Sequence, residues 1–394
     1  MPESDRKFHP NVYLIAFSAF FADLGYQIVA GGLSTFLVIV LSSPVWFYGL
    51  IEALNYGVGS AFSYVGGRLS DVYGGKKISI FGNLMIPLLS FTGFGGGYVS
   101  SGFLFSGGWW ARNFRTSARR MMLVESTTVE NRSRAFGILH GLDAAGGIIA
   151  AVILITLFSL GFQFRLIFLL SILPLFVSTL LLAITRKTVR EKICESNVES
   201  KPLRRTYLGI LVATALFGFS YYSIGFPILT AVQRSSSISL GLMVFPIFLT
   251  ASSVGGFLFG KFAVKKEILW LGMAGYILAG LGTFGIFVVL AFNSPLPLYY
   301  VAIIILGLGT SAIETFEPSI VSKIIKGRKA GTGMGILSSF RSIGMFTGNI
   351  VMGILYSFSA EYSYIYATLV AVVGGIIVLY FGSGFATQVI RNSA

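Results

Sequence analysis

Apolar residues fall into long unbroken runs rather than alternating or 3.6-residue patterns. Twelve runs, near 12–40, 45–69, 77–98, 101–123, 135–160, 164–185, 207–232, 239–263, 268–291, 298–322, 332–357 and 362–387, are long enough to cross a bilayer. A hydrocarbon core about 30 Å thick takes roughly 20 helical residues. The pattern predicts an all-α membrane protein with twelve transmembrane helices. One long polar stretch, Arg186–Thr206, holds seven Lys or Arg and three Glu. It divides the chain into an N-terminal six-helix half (1–185), a basic linker (186–206) and a C-terminal six-helix half (207–394).

Composition supports this reading. Of 394 residues, 55% are hydrophobic and 11% charged, with a mean hydropathy of +0.81. A soluble domain carries about 25% charged residues. The net charge of +14 would suggest nucleic acid in a soluble protein. Here the cations sit in loops on one side, including Arg6, Lys7, Lys76, Lys77, Arg132, Arg134, the linker cations, Lys265, Lys266 and Lys326 to Lys329. Under the positive-inside rule both termini are expected in the cytoplasm and the chain in the plasma membrane, with no nucleic-acid partner. The N-terminus shows no small-residue cleavage site after a short apolar core, so no signal peptide is expected. A single cysteine, Cys194, and two histidines, His9 and His140, imply no disulfide framework and no metal site, and no cofactor is called for.

The halves repeat. Arg134-Ala-Phe-Gly-Ile-Leu-His-Gly-Leu-Asp143 lies over Thr332-Gly-Met-Gly-Ile-Leu-Ser-Ser-Phe-Arg341 at an offset of 198 residues. Gly66–Gly82 matches Gly256–Gly272 in length, with Lys76 on Lys266 and Asp71 on Lys261. A duplicated six-helix unit is the mark of a transporter that binds substrate near the midplane.

The stretch Gly67-Arg-Leu-Ser-Asp71-Val-Tyr-Gly74-Gly-Lys76-Lys77 resembles the loop motif of the major facilitator superfamily. Val72 and Gly75 stand where that motif has basic residues. Glu130-Asn-Arg132-Ser-Arg134-Ala-Phe-Gly137 resembles the family's second marker. The resemblance implies the major facilitator fold over the whole chain, a cavity lined by the first, fourth, seventh and tenth helices, and alternating access. Asp71 can accept hydrogen bonds facing a helix N-terminus, making a contact that one state forms and another breaks. It can equally be an interfacial turn acid. The Gly-Pro pair of many drug–proton antiporters is missing from Gly141-Leu-Asp143-Ala-Ala-Gly146, and so is the sugar-porter Pro-Glu-Ser motif.

Ionisable groups at bilayer depth are costly and point to function. The acids are Asp23, Glu52, Asp143, Glu314 and Glu317, and the bases Arg112, Arg115, Arg119 and Arg341. Arg112, Arg115 and Arg119 share one helical face and must meet water, acids or an anion. At 1.5 Å per residue, Arg119 and Glu317 lie about 9 Å in, Glu314 about 13 Å, Arg115 and Asp23 about 15–16 Å and Arg112 about 20 Å. Asp23, Tyr26, Gln27, Arg112, Arg115 and Glu314 are the candidates for substrate or proton binding. Asp71, Arg119, Asp143, Glu317 and Arg341 are the candidates for a gate. The repeat sets Arg119 on Glu317 and Asp143 on Arg341, so these charges can pair between halves or inside each half. The arginine stripe reads as a structural network, an anion site or a proton-coupling device.

These features describe a secondary active transporter for a small solute, with protons as coupling ion, the lipid bilayer as its surroundings and a monomer as the expected state. An organic or inorganic anion fits the arginines. The alternatives are proton-coupled efflux of drugs or cationic solutes, and a channel or non-transporting receptor. No catalytic constellation and no ATP-binding loop is present, so the chain is expected not to be an enzyme.

Overall fold

The computed structural model describes residues 8–127, 132–186, 204–220, 222–262, 267–324 and 330–382. Among the described residues, each of the twelve apolar runs contains helix, interrupted in run 207–232. In chain order they are α1 (Pro10–Val40), α2 (Val45–Tyr73), α3 (Gly75–Phe94), α4 (Tyr98–Glu125), α5 (Arg132–Ser159) and α6 (Phe164–Ile184). The second half holds α7 (Arg204–Ser220 and Gly225–Ser235), α8 (Ile238–Leu242 and Val244–Phe262), α9 (Glu267–Ala291), α10 (Leu296–Ile324), α11 (Ala330–Phe358) and α12 (Ala360–Gly382). Among the described residues no strand occurs. Eight of these helices, α1, α3, α5, α6, α8, α9, α10 and α12, are apolar and long enough to cross a membrane. The other four are helical but fall short, α4 because of its arginines and α7 because it is broken. Of the linker, residues 187–203 lie outside the described residues, as does Glu130 of the second marker.

Proline accounts for four of the irregular points in the helices, whereas the π-helical stretches Phe36–Val40 and Leu271–Ile277 contain none. The chain changes helix type or breaks at Ile86, Ser171, Ser220–Gly225 and Met243, and Pro87, Pro174, Pro227 and Pro246 follow within the first three residues of each new segment. A proline has no N–H to donate and its ring crowds the carbonyl four residues back. It is tolerated at the start of a helix, so the helix restarts just before it. Run 207–232 reads as continuous by hydropathy alone, but its helix stops at Ser220 and restarts at Gly225, two residues before Pro227.

Contacts divide the described residues into two compact units, one within 1–43 and 58–192 and one within 44–57 and 193–394. The first half of α2 thus belongs with the second unit and its remainder with the first. In the first unit, α1 packs on α6 through Ser18 and Ser178, whose hydroxyls lie 3.0 Å apart, and through Gly25 against Leu175. Val12, Ile15, Ala19, Leu123, Leu139 and Leu182 form an apolar cluster at one end. In the second unit, Gly218 of α7 faces Gly344 of α11 so closely that a Cβ on either would strike the other's backbone. Lipid offers no hydrophobic drive between helices, so close backbone approach through small residues does the packing. Large apolar side chains such as Phe17, Phe103, Phe176, Phe257 and Leu369 point outward.

The glycine seam gives an expected outcome. Gly344→Val should cost about 1–3 kcal/mol through overpacking. Gly141→Ala, where nothing lies within 4 Å of an added Cβ, should be nearly neutral. Thermal unfolding in detergent checks both, and equal melting temperatures for the two variants would contradict the seam.

Candidate functional site

The first unit gathers its charge cluster from α1, α4 and α5, and α3 adds a neutral amide. Asp23 and Tyr26 stand one turn apart on α1, and the Tyr26 hydroxyl donates to Asp23 Oδ1. The same hydroxyl accepts from Arg112 Nη2 at 3.1 Å. The Arg112 guanidinium lies 4.8 Å from the ring centroids of both Tyr26 and Trp109. A cation held against two aromatic faces keeps its charge with little water around it. Trp109 precedes Arg112 by one turn, so one face of α4 supplies both.

Arg115 is completely buried. Its Nη1 donates to Asn83 Oδ1 at 3.0 Å, while Asn83 Nδ2 donates to Thr179 Oγ1 at 2.7 Å and Ser178 Oγ at 3.2 Å. A neutral amide therefore meets this guanidinium, with no carboxylate within ion-pair distance among the described residues. Arg119 Nη2 pairs with Asp143 on α5, 3.3 Å from Oδ2 and 3.5 Å from Oδ1. Gly146 lets α5 approach α1 at Asp23, which sets Asp143 one turn away. Of the three guanidinium groups, only Arg119 has an ion pair within 4 Å among the described residues. Five of their N–H positions, Nε of all three with Arg115 Nη2 and Arg119 Nη1, have no partner among the described residues.

The second unit repeats this plan with the signs exchanged. Glu317 of α10, fully buried, accepts from Arg341 Nη2 of α11 and from the Tyr276 hydroxyl of α9. Arg341 also lies 5.9 Å from the Phe217 ring centroid on α7. Arg119 and Asp143 are 24 residues apart, as are Glu317 and Arg341, and both pairs are related by the offset of 198. Each charge therefore finds its partner inside its own unit, the arrangement in which Arg119 faces Asp143 rather than Glu317. Glu314, one turn before Glu317, is exposed, and Gln27 is half-buried beside Tyr26.

Asp71 is exposed on the last turn of α2. Gly74, at φ 89°, turns the chain there into α3. The loop's Lys76 donates to the carbonyls of Ala183 at 2.8 Å and Thr185 at 2.5 Å, at the C-terminal end of α6. A cation there meets the helix's unpaired carbonyls and its negative dipole end. Sequence reasoning passed over Asn83, Trp109 and Tyr276. Asn83 is a lone amide in an apolar run, a signal of the kind that marked the acids. The two aromatics carried no such mark.

The tyrosines supply the expected outcome for this geometry. Tyr276→Phe and Tyr26→Phe each remove a donor to a buried carboxylate and should cost about 1.5–3 kcal/mol. Tyr222→Phe loses only a neutral bond to Thr283 and should cost about 1 kcal/mol. Melting temperatures of the three variants in one detergent give the order, and a reversed order would contradict the charge-linked roles.

Comparison with known proteins places the chain in a family. The family model of the Major Facilitator Superfamily matches residues 15–284 and 276–390. An uncharacterized MFS-type transporter of Methanocaldococcus jannaschii is 23% identical, the match covering 96% of each chain. Among solved structures, a peptide transporter POT in complex with sulfate superposes with a TM-score of 0.78 at 15% identity, covering 97% of both chains. A D-xylose-proton symporter gives 0.75 at 10% identity, over 94% of this chain and 97% of that one. A bacterial homolog of the human lysosomal transporter Spinster gives 0.72 at 14% identity, over 97% and 99%. With the family model spanning nearly every helix, from α1 to α12, the chain belongs to the Major Facilitator Superfamily and is a multi-pass membrane transporter, not an enzyme.

Proposed function

We propose that this transporter moves a small organic or inorganic anion by alternating access, coupled to protons. The observation that carries the anion reading is the excess of guanidinium over carboxylate in the first unit, with five buried N–H positions unpartnered. An N–H left without an acceptor in a low-dielectric interior is costly. Arginine's planar fork matches carboxylate and phosphate geometry, so an anionic solute is the ligand such donors suit. Arg112 and Arg115, with Tyr26 and Gln27, are the groups assigned to it.

Proton coupling falls to Asp23 and Glu314, carboxyls at membrane depth that have no ion pair within 4 Å among the described residues. A carboxyl that alternates between a proton and a nearby cation can tie proton movement to substrate movement. Asp71, Arg119, Asp143, Glu317 and Arg341 serve the gate in this reading, with the Arg119–Asp143 and Arg341–Glu317 pairs breaking and re-forming as the carrier changes state. Both termini lie in the cytoplasm of a monomer in the plasma membrane, following the cation bias. A proton-coupled symporter among the structural neighbours agrees with this reading.

A second reading rests on Glu314, an exposed carboxylate on α10. It suits efflux of a cationic or hydrophobic solute. Thermal stabilisation separates the two, because a ligand of the folded state raises apparent stability. Organic anions are expected to stabilise the purified protein, and Arg112→Gln to weaken them by about ten- to a hundredfold through the loss of a charged hydrogen bond. Stabilisation by cationic drugs, abolished by Glu314→Gln and untouched by Arg112→Gln, would replace the anion reading with efflux.

Coupling has its own test in proteoliposomes. Asp23→Asn keeps size and hydrogen bonding but cannot cycle a proton. It should abolish accumulation driven by a pH step and preserve counterflow exchange. A variant that still accumulates substrate under the pH step removes Asp23 from coupling.

A further inference from the structure

The first half of α2 carries a carboxyl that neither arginine cluster touches. Glu52 is buried, 6% exposed, within the segment 44–57 that packs with the second unit. The groups facing it are the hydroxyls of Tyr48 and Ser223 and the amide of Asn55. No cation bears on it among the described residues. On α2 itself the titratable neighbours are Tyr48 and, through it, Tyr56. The break in α7 presents Ser223 and α11 presents Asn349, neither of them titratable.

The surroundings form a built seam. The Tyr48 and Ser223 hydroxyls lie 2.6 Å apart. The Ser223 N–H donates to Asn349 Oδ1 at 2.9 Å, and the Gly225 N–H to Ser223 Oγ at 3.3 Å. These bonds satisfy backbone groups that the break in α7 frees, as a helix interrupted inside a membrane protein requires. The Tyr48 ring meets Phe226 edge-on at 5.2 Å. Gly49 approaches α11 so closely that a Cβ there would strike Asn349 O and Gly353 Cα. Asn55, wholly buried, faces Glu52 and has no side-chain hydrogen bond to any other described residue.

An ionised carboxylate in this seam would have no countercharge, a heavy cost in a low-dielectric interior. A protonated carboxyl donates one hydrogen bond and accepts others, and the amide and hydroxyls around it supply both kinds of partner. We propose that Glu52 is a proton-binding site, separate from the arginine clusters, whose proton latches the first half of α2 to the break in α7. Loss of that proton leaves a carboxylate that only accepts, which draws both hydroxyl hydrogens to itself, takes the donor from the Tyr48–Ser223 bond and loosens the seam. Its use in transport rests on the proton-coupled reading above, whereas its existence does not.

Infrared difference spectroscopy of the full-length protein in lipid nanodiscs, without substrate or gradient, tests the site. The native protein should show the carbonyl band of a protonated carboxylic acid, which fades as pH rises and is missing in the near-isosteric Glu52→Gln. Glu52→Asp should keep a band with a displaced titration midpoint, which separates proton binding from a folding defect. Hydrogen exchange over residues 45–57 should rise about tenfold on deprotonation in the native protein and stay low in Glu52→Gln, as the loss of latch hydrogen bonds predicts. Identical spectra for native and Glu52→Gln proteins would overturn the proposal. So would removal of the band by Na⁺ at constant pH, which would make the site one for a metal cation. A titrating Glu52 band beside a pH-independent flux would instead remove proton coupling and leave this site standing.

Discussion

A charge in the middle of a membrane protein must find an opposite charge, a dense set of hydrogen bonds or an aromatic face, because lipid supplies none of these. Most of the interior follows from how this chain meets that demand. Arg119 pairs with Asp143 and Glu317 with Arg341, each bridging consecutive helices that are antiparallel by connectivity. Arg112 takes aromatic faces and a tyrosine hydroxyl instead, and Arg115 a buried amide. Glycines at the helix crossings allow the approach that these short polar contacts require. Gly146 does so beside Asp23, and Gly218 and Gly344 do so near Arg341.

The exchange of sign between the units has a physical consequence. A repeat that kept its charges would put arginine at 119 and 317 and acid at 143 and 341, and both units would have the same polarity. Here α4 gives the cation and α5 the acid, whereas α10 gives the acid and α11 the cation. Each pair remains internally neutral. What is left over differs. The first unit keeps an excess of guanidinium on α4, and the second keeps the exposed Glu314 on α10. Asp23 and Glu314, neither with an ion pair within 4 Å among the described residues, lie one in each unit.

Much of this could be read from the residues. Uninterrupted apolar runs gave the helices, since a bilayer forces a minimum length that chance rarely reaches. The costly side chains named themselves, because an arginine or a carboxyl inside such a run needs a reason. Asp23, Arg112, Arg115, Arg119, Asp143, Glu317 and Arg341 all lie in the two clusters. Partner choice was harder. The offset of 198 related Arg119 to Glu317, but helical connectivity placed each beside the charge 24 residues away. The partners Tyr26, Tyr276, Asn83 and Trp109 are neutral, and their hydrogen-bonding and stacking roles depend on helix rotation that hydropathy does not encode. The break in α7 was legible in Pro227 but hidden in a run uniformly apolar on both sides of it.

The central claim is that buried charge is neutralised inside each repeat by the pairs 119–143 and 317–341. Two double-mutant cycles, Arg119→Gln with Asp143→Asn and Arg341→Gln with Glu317→Gln, measure it most directly through unfolding free energy. The account predicts favourable coupling of about 1–3 kcal/mol in both cycles, larger for the pair containing the fully buried Glu317. Coupling near zero in both cycles, with each double variant costing the sum of its two single variants, would show that the charges are stabilised by something other than each other.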